Sequence, residues 1–121
     1  MVRADLDQSA NLLTISYGGR VEAQETRRYV SEVERLLPEL KPGFRLLTDL
    51  STLESMDVAC VADIKRVMDL CNDQGVALVV RVIPDPHKDI GLNILSLFHY
   101  DRDVRIVTYE TLAAAKEVLA A

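Results

Sequence analysis

Hydrophobic and polar positions alternate from the first residues of the chain. Val2, Ala4 and Leu6 interleave with Arg3, Asp5 and Asp7, the period of a half-buried strand. Gln8-Ser9-Ala10-Asn11 reads as a turn, and Leu13, Ile15 and Tyr17 resume the alternation up to Gly18-Gly19, so a hairpin is predicted. The period then lengthens. Val30, Val33 and Leu37 recur at helical spacing among charged residues, and Pro38 disfavours helical geometry at Leu37, ending or bending that helix. Lys41-Pro42-Gly43 makes the next turn, and Phe44 to Leu50 forms a short buried strand.

Val61, Ile64, Met68 and Cys71 mark one stripe of a second helix, with Asp57 as N-cap and Gly75 as the stop. Val76 to Val80 is apolar on both faces, which predicts a strand covered by helices on both sides. Asp85 and Pro86 suit the N-cap and first position of a third helix, with Ile90, Ile94, Leu97 and Phe98 facing the core. Val104, Ile106 and Val107 give a last strand, and Leu112, Ala115 and Val118 a last helix. The order β-β-α-β-α-β-α-β-α predicts an α/β domain: a single mixed, mostly parallel sheet with four helices, the opening hairpin supplying the antiparallel strand. At 121 residues the chain suits one domain over 1–121.

Composition narrows the function. The net charge is −5, and Arg27, Arg28, Arg45 and Arg66 are dispersed among carboxylates, a poor footprint for nucleic acid or an anionic membrane. No apolar run approaches the roughly 20 residues needed to span a bilayer, and Met1-Val2-Arg3-Ala4-Asp5 is too charged for a signal peptide, so a cytoplasmic location is expected. Cys60 and Cys71 fall in one predicted helix about 16 Å apart, too far for a disulfide, and read as small buried residues.

The spacing of two short segments resembles the STAS domain, the fold of anti-sigma factor antagonists and of transporter regulatory tails. Asp49-Leu50-Ser51, then five residues, then Met56-Asp57-Val58-Ala59-Cys60 is similar to the family's Asp-Leu-Ser followed by Asp-Ser-Ser-Gly at a helix start. Gly19-Arg20-Val21-Glu22-Ala23 echoes its Gly-x-(Val/Leu)-(Asp/Glu)-Ala pattern, and Val104-Arg105-Ile106 before Leu112 resembles the closing segment of divergent antagonist-like members. The departure is chemical. Val58 and Ala59 stand where the family has two serines, and the second of those serines is its phosphoacceptor. The resemblance therefore implies a protein-interaction module without the usual phosphorylation switch, binding a regulatory kinase or an anti-sigma-like protein. Its expected partner surface comprises Asp49, Ser51, Leu53, Ser55, Met56, Asp57, Val58 and Ala59, with Leu53 and Met56 on one loop, either exposed to a partner or, for one of them, plugging the core. Self-association into a homodimer is compatible with an apolar helix face.

No catalytic residues are assigned. Ser51 lies beside Asp49 and Asp57 but has no base near it in sequence, and is expected to bond local backbone in a turn. His87 and His99 would lie about 18 Å apart on one helix, too far to share a metal, and no cofactor motif is present. Pro86, His87 and Lys88 open a helix and are a candidate ligand or anion site. The alternative function is a carrier or sensor of a small ligand, a lipid or a nucleotide, walled by the helix from Ile90 to Phe98, with Gly91 lowering its rigidity. In a largely parallel sheet the loops at the carboxyl ends of strands tend to hold the site, here Gly19 to Glu22, Asp49 to Asp57 and Pro84 to His87.

Overall fold

The computed structural model describes residues 1–85, 87, 91 and 99–120. Five strands form one sheet in the order β1-β2-β3-β4-β5: β1 Val2–Asp7, β2 Leu12–Val21, β3 Arg45–Met56, β4 Leu78–Val82 and β5 Arg105–Tyr109. β1 pairs antiparallel with β2, and the other three pairings are parallel, so the sheet is mixed. Three α-helices lie among the described residues: α1 Ala23–Leu36, α2 Val61–Gln74 and α3 Leu112–Ala120. The helix expected over Pro86 to Phe98, with its core positions Ile90, Ile94, Leu97 and Phe98, falls largely outside the described residues.

Strand alternation sorts the side chains into two cores. Leu13, Ile15 and Tyr17 of β2, Leu46 and Leu50 of β3 and Val79 of β4 join the buried faces of α1 and α2. Leu47, Val80 and Val82 point the other way and pack with Ala115 and Leu119 of α3. β4 is thus covered on both faces, as its unbroken apolar run requires. Leu119, not Val118, faces this second core. Val118 is 39% exposed, because the seven-residue step from Leu112 to Leu119 keeps one helix face where the six-residue step to Val118 does not.

Element ends follow their local chemistry. Asn11 takes the left-handed conformation (φ 51°) in the hairpin turn, and its side-chain amide bridges to the 41–43 turn through Lys41. α1 stops at Leu36, and Pro38 sits in a 3₁₀ turn, Leu37–Glu39, that closes it. Gly75 ends α2 at φ 95°, and a β-carbon there would also meet the Pro42 backbone at 3.2 Å.

Strand ends differ from the sequence expectation, and β4 runs over Leu78–Val82 in place of Val76 to Val80. β2 runs past Gly18-Gly19 to Val21, and β3 runs past Leu50 to Met56. The two strands remain paired over this extension, but β3 gains one residue between Asp49 and Thr52 and another between Leu53 and Ser55 relative to β2. These irregularities place both Leu50 and Leu53 in the main core, three residues apart where regular alternation would separate them.

Candidate functional site

The extended ends of β2 and β3 carry the site. The Asp57 amide donates to the Val21 carbonyl at 3.0 Å, fastening the end of β3 to the end of β2. Asp57 then caps a 3₁₀ turn, Val58–Cys60, its carboxylate accepting from the Ala59 amide at 3.0 Å, and α2 continues from Val61. Cys60 therefore lies in this turn and not in the helix that holds Cys71, a correction to the sequence expectation. Its sulfur is fully buried, 3.8 Å from the Val21 carbonyl, and anchors the turn from below.

α1 starts beside this turn. The Glu22 amide donates to the Glu25 carboxylate at 3.2 Å, and that carboxylate also pairs with the Met1 ammonium at 2.9 Å. The ammonium holds the Glu25 carboxyl below the usual carboxylate range. Thr26, fully buried, bonds Asp63 Oδ2 at 2.7 Å with the Ala23 carbonyl at 3.1 Å, tying the first turn of α1 to the first turn of α2. Between the two starts lies an open depression of about 480 Å³. Arg20, Glu22 and Arg27 line one side and Ser55, Met56 and Asp57 the other, so two cations and two carboxylates surround an apolar strip of Val21, Ala23 and Met56.

The expected partner residues separate on this frame. Ser55, Asp57, Val58 and Ala59 are exposed and contiguous, and Met56 is half-buried beside them. Val58 is 83% exposed, the most exposed large hydrophobic side chain among the described residues, with Met1 next at 51%. Leu53 is only 1% exposed, so it is a core residue and not a loop contact. Ser51 lies within β3, not in a turn, and its amide donates to Asp49 Oδ1 at 2.9 Å. Asp49 itself opens onto the opposite face of the sheet, in a depression of about 450 Å³ shared with Leu112 and Lys116 of α3. Arg27 of α1 is the charged lining residue that sequence reasoning left out of the site, while Arg20 lies inside the Gly19 to Glu22 edge expected to hold it, though it was not singled out.

The Asp85 carboxylate accepts from the His87 amide at 3.0 Å, as expected of a cap, and His87 is exposed. Pro86 and Lys88 of the candidate anion site, and most of the wall proposed for a small ligand, lie outside the described residues. His99 is half-buried with Nδ1 3.2 Å from Asp69 of α2. Among the described residues no group of three or more His, Cys, Asp or Glu could hold a metal ion, and no helix is long and apolar enough to cross a membrane.

Cys60 and Cys71 are both free and buried. Burial pushes both thiols up, that of Cys71 to about 12. Since the thiolate is the reactive form, neither should react with Ellman's reagent at pH 8 on the timescale on which guanidinium-unfolded chain releases two equivalents. Prompt release from the native protein would place a thiol at the surface.

Sheet order and helix placement give the fold of SpoIIAA-like anti-sigma factor antagonists, the STAS fold. The chain is similar in structure to an uncharacterised protein with a SpoIIAA-like fold from Shewanella loihica (TM-score 0.71, 12% identity, covering 98% of this chain and 92% of that one). It is similar to the anti-sigma factor antagonist SpoIIAA in its unphosphorylated form (0.63, 9%, 100% and 99%) and to an anti-sigma factor antagonist from Mycobacterium paratuberculosis (0.62, 14%, 100% and 94%). No protein-family model matches the sequence, and no curated protein does.

Proposed function

We propose that this chain is a non-catalytic regulatory module of the STAS type, cytoplasmic, that docks another protein through the turn from Asp57 to Ala59. The observation that carries this reading is Val58: an apolar side chain 83% exposed at the apex of a turn whose backbone is already fixed. Single exposed apolar residues are common on protein surfaces. This one follows directly on Asp57, which lines a groove with an apolar strip and charges of both signs, and the two together suit a contact with an apolar centre and a polar rim. The Asp57 caps hold the turn before any partner arrives, so docking loses little ordering entropy.

The partner fits the kind bound by antagonists of this fold, a regulatory kinase or an anti-sigma-like protein. Ala59 offers a methyl group where those antagonists carry a hydroxyl, so phosphorylation at that position does not release the partner, and binding is constitutive.

Affinity capture from native extract of the source cells tests this with wild type, Val58→Asp, Asp57→Asn, Asp57→Lys and Ala59→Glu as baits. One specific protein should be retained by wild type and by Asp57→Asn, which keeps a cap. It should be weakened about 10- to 100-fold by Val58→Asp, Asp57→Lys and Ala59→Glu. All baits must show the wild-type circular dichroism spectrum. Equal capture by all five would remove the turn from the interface.

A further inference from the structure

We infer that β1 is an interface to a second copy of this chain, the two β1 strands pairing antiparallel about Ala4 to make one continuous ten-stranded sheet. Among the described residues β1 is an edge strand with only β2 beside it. Met1 and Gly18 exchange two backbone hydrogen bonds, Met1 N to the Gly18 carbonyl at 2.7 Å and Gly18 N to the Met1 carbonyl at 2.8 Å. In an antiparallel ladder, hydrogen-bonded and non-bonded pairs alternate. From that anchor, the register of β1 on β2 makes Arg3, Asp5 and Asp7 the bonded positions and leaves the N–H and C=O groups of Val2, Ala4 and Leu6 directed outward.

Those outward groups fix which registers a second β1 can adopt, since only Val2, Ala4 and Leu6 can face one another in bonded pairs. Pairing Ala4 with the partner's Ala4 puts Val2 opposite the partner's Leu6 and uses every outward group. The same register places Arg3 opposite the partner's Asp5, twice by symmetry, at non-bonded positions where side chains come closest. Sliding by one allowed step in either direction sets Arg3 against the partner's Arg3, or Asp5 against the partner's Asp5. The Ala4-centred register is thus the one of the three without a like-charge pair, although the step that opposes the two Asp5 residues also sets Arg3 against the partner's Asp7, and Arg3 and Asp5 are already paired at 2.9 Å within one chain.

The flanks agree with this. Natural edge strands are commonly blunted by proline, bulges, charged side chains or very short length, and of these β1 has only the charges of Arg3, Asp5 and Asp7. β1 has six residues, pairs with β2 in unbroken register and contains neither proline nor glycine. Beside Val2 and Ala4, on the face that carries α1, a depression of about 250 Å³ is walled by Glu25, Arg28 and Glu32. The partner's Leu6, opposite Val2, falls on that side and fills it. A strand pair of this size is a weak, isologous contact.

Sedimentation equilibrium of the whole chain from about 1 µM to 1 mM tests the proposal. Wild type should show a monomer–dimer equilibrium. Arg3→Asp and Asp5→Arg each turn both cross-strand pairs repulsive, and should weaken dimerisation about a hundredfold. Mixing the two variants should restore a dimer, since every opposed pair is then of opposite sign. Ala4→Pro removes an N–H that β2 does not use, and should give a folded monomer. Wild type that is monomeric at all concentrations overturns the proposal. So does a dimer that survives all three variants, which would place self-association on another surface, or a variant mixture that stays monomeric.

Discussion

Replacing Leu53 with alanine is expected to lower the free energy of unfolding by about 3 kcal/mol, read from the midpoint of a urea titration at unchanged slope. The side chain is 1% exposed and belongs to the main core. Its neighbour across the parallel pairing is Gly19, which has no side chain to relax into the vacated space, so little of the cavity can collapse. Against a total stability of about 5–15 kcal/mol, that loss is large. Val58→Asp, five residues away, should change stability by less than about 0.5 kcal/mol, because its side chain contacts mainly water. The pair separates structure from docking. A Leu53→Ala effect below about 1 kcal/mol would mean that the side chain lies at the surface, and would return it to the candidate interface.

The sequence shows Leu53 as an isolated apolar residue among Thr52, Glu54 and Ser55, which is why it reads as part of an exposed loop. Period-two alternation is legible only while a strand stays regular. β3 carries two extra residues relative to β2, and each reverses the phase of the pattern, so the strand continues where the pattern stops. The same limit applies at the end of β2, where Gly18-Gly19 signals a break but the backbone stays paired to Val21. Where the pattern is regular, as in β1, the hairpin turn, α2 and its Gly75 stop, residues and elements coincide. Asp57 was legible as a cap because capping depends on a local bond over two residues. That Arg20 and Arg27 border the same groove depends on how α1 docks against the end of β3, a tertiary arrangement that no local spacing encodes. Asp49 illustrates the converse. It is close to Asp57 in sequence, and an even step of eight residues would keep the two on one face of a regular strand, yet β3 is irregular between them and they line different depressions.

Raising the pH above about 10 should unfold this domain in one cooperative step, and the cause lies in its core. Tyr17 and Tyr29 meet edge to face with ring centres 5.7 Å apart and share a hydroxyl hydrogen bond of 2.9 Å. Both are buried, as is Tyr100. Burial, the largest cause in each case, raises all three phenols above their ordinary values, and it raises the Cys60 and Cys71 thiols likewise. For an acid whose folded pKa is raised, the stabilisation is complete below its unfolded pKa and is lost as pH climbs toward the folded one. Unfolded thiols begin to lose protons near pH 8.5 and unfolded phenols near pH 10. Each group then removes about 1.4 kcal/mol of stability per pH unit. With the three phenols and the Cys71 thiol contributing, the slope approaches about 5–6 kcal/mol per pH unit, enough to exhaust a typical domain between about pH 11 and 12. Tyrosinate absorbance near 295 nm should therefore rise together with the loss of far-ultraviolet circular dichroism. Tyr17→Phe removes one of these four ionisations and should flatten the slope by about a quarter, while leaving the Tyr29 hydroxyl without its partner. If the three buried phenols instead ionised gradually near pH 10 with the dichroism intact, water would have to reach the Tyr17–Tyr29 pair in the folded state, and the core as described could not be closed around it.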